Sequence, residues 1–165
     1  MIVVSNTSPI TNLAAISQFD LLHRLFGEIL IPEGVWSELN AQGKRWPGSL
    51  EVENSAWIYR KLVNDQPLIT TLERDLDRGE AESITLAIEL KADLILLDER
   101  EARHAARRLG LPKMGVIGVL LLAHSRHEID QLKPLLDDLR QKANFYIDDQ
   151  LYQAVLEQVS ESTTS

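Results

Sequence analysis

Acidic side chains stand at two places where a fold of alternating strands and helices gathers its chemistry. Gly79-Glu80-Ala81-Glu82-Ser83-Ile84-Thr85-Leu86-Ala87 puts carboxylates at the start of a helix, and the apolar run Ala92-Asp93-Leu94-Ile95-Leu96-Leu97 ends at Asp98-Glu99. In an open α/β sheet the carboxyl ends of strands and the adjoining helix N-termini converge on one crevice. Carboxylates gathered there without histidine or cysteine partners are hard oxygen donors of the kind that bind Mg²⁺ or Mn²⁺, which suits phosphodiester chemistry. The chain has no cysteine, so disulfides, thiolate zinc sites and cysteine nucleophiles are excluded. Its histidines (His23, His104, His124 and His127) lack zinc-ligand spacing, and neither Gly-x-Ser-x-Gly nor a P-loop occurs.

The elements that must position these groups follow from hydrophobic patterning. Ile2-Val3-Val4-Ser5 is a β-branched strand, Asn6-Thr7-Ser8-Pro9 supplies capping and turn residues, and a helix is expected from near Pro9. Glu28-Ile29-Leu30-Ile31 forms a second strand stopped by Pro32, and the next helix carries Val35, Trp36 and Leu39 on its apolar side beside Glu38. Residues 41–48 form a loop, Trp57-Ile58-Tyr59 a strand, and Leu68 to Leu76 a short helix. The pattern then predicts a helix over 80–91, a strand over 94–97, a helix over 99–110, a strand near 114–117, and helices over 118–127 and 128–142. Phe145-Tyr146-Ile147 is expected as a last strand, before an amphipathic stretch over 149–159. Strands alternating with helices imply a three-layer α/β/α sandwich around a mostly parallel sheet. One domain is expected over 1–159, with 160–165 as a frayed tail.

The bulk numbers narrow the class. A chain of 165 residues with 44% apolar and 25% charged content is an ordinary globular protein with one sizeable core. No apolar run reaches the ~18–20 residues of a membrane span. The N-terminus has no basic n-region of a signal peptide, and a cysteine-free chain fits the cytoplasm. A net charge of −8 argues against a general nucleic-acid coat, which needs a basic face.

Six segments in order resemble the PIN-domain nuclease-like superfamily, most closely its small prokaryotic toxin-type branch. They are Val3–Ile10, Ile31–Leu39, Gly79-Glu80 through Leu86-Ala87, Leu97-Asp98-Glu99 through Ala102-Arg103, Gly115–Leu120 and Asn144–Ile147. The resemblance implies a ribonuclease dependent on Mg²⁺ or Mn²⁺, with an RNA substrate, a small antitoxin protein as inhibitor and a homodimeric state. Carried over residue by residue, it implies a catalytic and metal-binding pocket of Asn6, Glu38, Glu80 and Asp98. The family usually has aspartate where this chain has Asn6.

Each residue also has a plainer explanation. Asn6 and Asp98 could be N-caps. Glu38 could be a solvated helix carboxylate, and Glu80, like Glu82, could complement a helix macrodipole. Glu99 competes with Asp98 for the strand-end position. Arg100, Arg103, His104 and Arg107 make a basic helical stripe; Arg103 could reach a phosphate, or the stripe could pair with Glu99 and Glu101. Ser8 could orient a water or ligand in the substrate site, or cap the helix; Lys44-Arg45-Trp46 could stack an RNA base. Two rivals to a nuclease follow: a PIN-like binding or regulatory module without turnover, and a receiver-like or nucleotide-binding domain. The second needs an acidic pair or a glycine fingerprint after the first strand, and Asn6-Thr7-Ser8 offers neither.

Overall fold

A computed structural model describes residues 1–40 and 46–164. Along the chain run β1 (Val3–Ser5), α1 (Thr7–Ala15), α2 (Leu21–Phe26), β2 (Ile29–Pro32), α3 (Glu33–Leu39), α4 (Ser49–Glu53) and β3 (Ile58–Lys61). They are followed by α5 (Gln66–Leu72), α6 (Arg78–Leu90), β4 (Leu94–Leu96), α7 (Arg100–Arg108), β5 (Lys113–Met114), α8 (Val116–Ser125), α9 (Lys133–Lys142) and α10 (Asp149–Thr164). The strands form one sheet in the order β3-β2-β1-β4-β5, and every pairing is parallel. The α/β sandwich expected from the alternation is therefore the architecture observed.

Side chains alternate across this sheet with period two, as strand geometry requires. Val3, Leu94 and Leu96 point into one core with α1, α2, α3, α8, α9 and α10. Val4, Ile95 and Leu97 point into the other with α6 and α7. Residues 94–97 are buried on both faces, which explains why they are a continuous apolar run rather than an alternating one. The strand order sets the site. From β1 the chain winds outward through β2 to β3, then crosses back to add β4 on the other side of β1. The direction reverses between β1 and β4, and the crevice of a doubly wound sheet opens at the carboxyl ends of such a strand pair. Val3↔Leu94, Val4↔Ile95 and Ser5↔Leu96 pair in register, so the residues that follow each strand emerge side by side.

Three expectations are corrected. Val116 and Ile117 begin α8 instead of ending a strand, because the Val116 amide is captured by the Asp98 carboxylate at 2.7 Å. The helix expected from Glu128 starts at Lys133, with Pro134 in its first turn, where proline's fixed φ and missing N–H are tolerated. Phe145-Tyr146-Ile147 is not a strand: Asn144 takes a left-handed φ of 53°, and the Phe145 amide returns to Leu139 O to close α9. α10 runs from Asp149 through Thr164.

Candidate active site

Asn6 follows β1 and Asp98 lies two residues beyond β4, so register alone brings them to the same edge of the sheet. α3 contributes Glu38, and the first turn of α6 contributes Glu80. Gly79 shows how closely α3, α6 and the end of β1 approach. A Cβ on Gly79 would stand 2.6 Å from Glu38 Oε2 and 3.5 Å from Asn6 Oδ1.

The plainer roles fail for two of the four residues. Asn6 occupies the N-cap position of α1 in extended conformation, yet its side chain makes no capping bond. It is 2% exposed, and its Oδ1 faces the Ser83 hydroxyl of α6 at 3.5 Å. Asp98 does not cap α7, whose N-cap is Glu99. It accepts instead from the Asn12 amide at 3.0 Å and the Val116 backbone N–H at 2.7 Å, tying α1, β4 and α8 together. Glu38 Oε2 accepts from the Thr7 hydroxyl. Glu80 keeps its bland role in part, since its amide is capped by Asp77 Oδ1 at 2.8 Å, but its side chain is buried rather than solvated. Ser8 donates to Glu99 Oε1 at 3.2 Å. Arg103 Nη1 and Asp98 Oδ1 lie 3.9 Å and 2.9 Å from the point where a Cβ on Gly115 would sit.

The three carboxyls share electrostatic neighbours, Glu99 acting on all of them and Asp77 on the two glutamates. Burial raises the Glu38 pKa, against the Thr7 hydrogen bond, and the charges of Asp77 and Glu99 raise it further. Burial also raises Asp98, opposed by its bonds to Val116 and Asn12, with Glu99 raising it and Arg103 lowering it. Glu80 is pushed up to about 8, by burial first, then by the adjacent Asp77 carboxyl and by Glu99. Burial is the largest cause of all three shifts; the neighbouring Asp77 and Glu99 charges add to it, and Arg103 partly offsets them at Asp98. The chain thus brings Asn6, Glu38, Glu80 and Asp98 to one locality and adds two groups to them. Asp77 carried a sequence signal, since Asp77-Arg78-Gly79-Glu80 is a capping box with acidic residues at both ends. Glu99 had none beyond adjacency to Asp98; the structure places the two on different partners.

The donor set is entirely hard oxygen, which fits a divalent cation of the Mg²⁺ class. Among the described residues, no three His, Cys, Asp or Glu side chains are already grouped as a metal cage. Mg²⁺ is commonly held by one or two carboxylates and several waters, so the fit rests on donor chemistry. Lys44 and Arg45 lie outside the described residues, while Trp46 is exposed. Among the described residues no helix is long and apolar enough to cross a membrane.

A family model described as a PIN domain matches residues 2–161. No curated protein matches the chain at a significant level.

Proposed function

The chain belongs to the PIN-domain family, whose fold is of the nuclease type, and from that premise we propose that it is a metal-dependent ribonuclease of the toxin–antitoxin kind. Asn6, Glu38, Glu80 and Asp98 form its site, with Ser8 and Arg103 on the substrate side. The observation that carries this reading is the gathering of one buried carboxyl, Glu80, and two half-buried ones, Glu38 and Asp98, all with raised pKa, near the carboxyl ends of β1 and β4. A small antitoxin, a homodimer and a cytoplasmic setting belong to the same proposal, supported by the toxin-type resemblance of the six sequence segments.

A bound Mg²⁺ or Mn²⁺ would supply a water of lowered pKa and charge stabilisation at the scissile phosphate. The chain's own residues prepare for that. Thr7 fixes the Glu38 carboxylate, and Asn12 with the Val116 amide fixes Asp98, so neither must be ordered during turnover. Glu80, pushed up to about 8 in the free chain, would have to release its proton for the pocket to hold a cation, as ligand carboxyls must. Arg103, beside Asp98, presents a planar fork suited to a phosphate. Asn6 offers a carbonyl oxygen without charge and cannot act as a general base. One missing carboxylate charge at ~4 Å from a cation is worth about 1 kcal/mol in water and about 4 at intermediate dielectric.

The test is cleavage of a mixed RNA pool with Mg²⁺ or Mn²⁺ by the wild-type chain, Asp98→Asn and Asn6→Asp. The expected result is slow metal-dependent cleavage, abolished in Asp98→Asn and raised roughly tenfold or more in Asn6→Asp. A second reading, a PIN-like binding module without turnover, is favoured specifically by Asn6. Stoichiometric RNA or protein binding without product, together with activity only in Asn6→Asp, would select it. Silence from all three chains would overturn the nuclease reading.

A further inference from the structure

Asp98 lies at the boundary between two fields of opposite sign. On one side is the acidic pocket; on the other a cavity of about 280 Å³ is lined by Asp98, Arg100, Arg103, His104, Arg107 and Lys113. Its walls follow from local structure. In α7 the small residues Ala102, Ala105 and Ala106 are buried against the second core, which turns the arginines of the other face outward. Lys113 is placed opposite them by its pairing with Ile95 on the edge strand β5.

The stripe could have been neutralised by Glu99 and Glu101 of the same helix. It is not: none of Arg100, Arg103, Arg107 or Lys113 forms an ion pair among the described residues, and Glu99 is turned towards Ser8. Four cations face one cleft whose lining holds a single carboxylate, Asp98, which acts on Arg103; this is a local positive concentration on a chain of net charge −8. Clustering like charges opposes folding, so this arrangement is explained by an anion that offsets it. The cleft is small and charged where small-molecule pockets are larger and mostly apolar. It suits a segment of an extended polyanion rather than an enclosed metabolite.

We propose that the cleft between α7 and β5 is a phosphate-binding subsite for single-stranded RNA, gripping the backbone one or two nucleotides away from the acidic pocket. The proposal rests on the ribonuclease reading for the identity of the strand, but its binding chemistry is independent of turnover. Charge segregation of this kind lets an acidic chain attract RNA on one side of Asp98 while keeping carboxylates on the other. Arg107 and Lys113 make the informative substitutions, because they lie in the cleft but outside the acidic pocket.

The experiment is fluorescence anisotropy of a labelled single-stranded RNA in EDTA, over a series of salt concentrations. Wild type, Arg107→Gln/Lys113→Gln, Arg107→Lys and Lys61→Gln (a cation on the opposite edge strand) are compared, with circular dichroism melts to verify folding. Each lost phosphate contact lowers the slope of log K against log salt by about 0.7 on single strands, so the double variant should lose about 1.4 and bind roughly tenfold more weakly. Arg107→Lys should keep the wild-type slope, and so should Lys61→Gln. An unchanged slope in the folded double variant, an equal loss in Lys61→Gln, or no RNA binding by wild type would each overturn the subsite. Mn²⁺-dependent cleavage run in parallel separates the two proposals. Salt-sensitive binding with the expected loss but no cleavage retains the cleft and removes the nuclease; cleavage with an unchanged slope does the reverse.

Discussion

At the residue scale, Asp98 has structural contacts and the site role we propose, which substitution can separate. Its carboxylate accepts from Asn12 and from the Val116 amide, and it stands where the sheet delivers charge to the pocket. Asp98→Ala strands both donors, and leaving buried donors unpaired costs ~1–3 kcal/mol each. Asp98→Asn keeps a carbonyl for Val116, and the Asn12 amide can rotate to present its own oxygen, so stability should fall by less than about 1 kcal/mol. Both variants should lose RNA cleavage, while urea unfolding should distinguish them sharply. Equal stabilities would mean that the Asn12 and Val116 contacts contribute little to holding Asp98.

At the element scale, the approach of α3 to the first turn of α6 is set by glycine. A Cβ at Gly79 would stand 2.6 Å from Glu38 Oε2, the mobile end of a side chain rather than backbone. Gly79→Ala therefore displaces the Glu38 carboxylate without moving either helix. Alanine is the better helix former by ~1 kcal/mol, but displacing Oε2 breaks its hydrogen bond from Thr7, worth about 0.5–1.5 kcal/mol, so the melting temperature should change little. Cleavage should nonetheless fall at least tenfold, because reacting groups tolerate little misplacement. Thermal unfolding beside a cleavage assay checks both halves; a stable, fully active Gly79→Ala would remove Glu38 from the site. Gly115, at the start of α8, is a second close approach, where a Cβ would meet Asp98 Oδ1 at 2.9 Å.

At the scale of the whole molecule, the raised carboxyls couple global stability to pH. The ordinary glutamate value is 4.5, and folding lifts Glu80 to about 8. Between these values the unfolded chain has released the proton that the folded chain retains, so stability falls as pH rises. The contribution is fully present below about 4.5 and lost by about 8, with Glu38 and Asp98 shifted in the same direction. In EDTA the melting temperature should drop on passing from pH 6 to pH 8.5, and Glu80→Gln should flatten that drop. Mn²⁺ at the upper pH should restore stability, since a ligand bound only by the native state adds about 2.7 kcal/mol at a hundred times its Kd. A wild-type melting temperature that is flat or rising over this range would show that Glu80 titrates normally.

The sequence by itself determined the order and type of most elements, because periodicity is a local property. Leu94–Leu97 had to be a doubly buried strand, and Gly79–Ala87 had to be helical. It also limited the candidate ligands to hard oxygen donors, since the chain has no cysteine and its histidines lack metal-ligand spacing. Asn6, Glu38, Glu80 and Asp98 were named together only through the family resemblance; strand register brings Asn6 beside Asp98, while Glu38 and Glu80 arrive on α3 and α6. What tertiary structure alone decided was partnership. Nothing local in the chain says that Asp98 binds the start of α8 rather than α7, or that this bond ends β5 early and turns Val116-Ile117 into helix. Nothing local says that Glu99 faces Ser8 and leaves the α7 arginines unpaired, or that Asn144 closes α9 where a strand was expected. Those choices are made between groups far apart in sequence, where distance and burial, absent from a one-dimensional pattern, set which hydrogen bond or charge prevails.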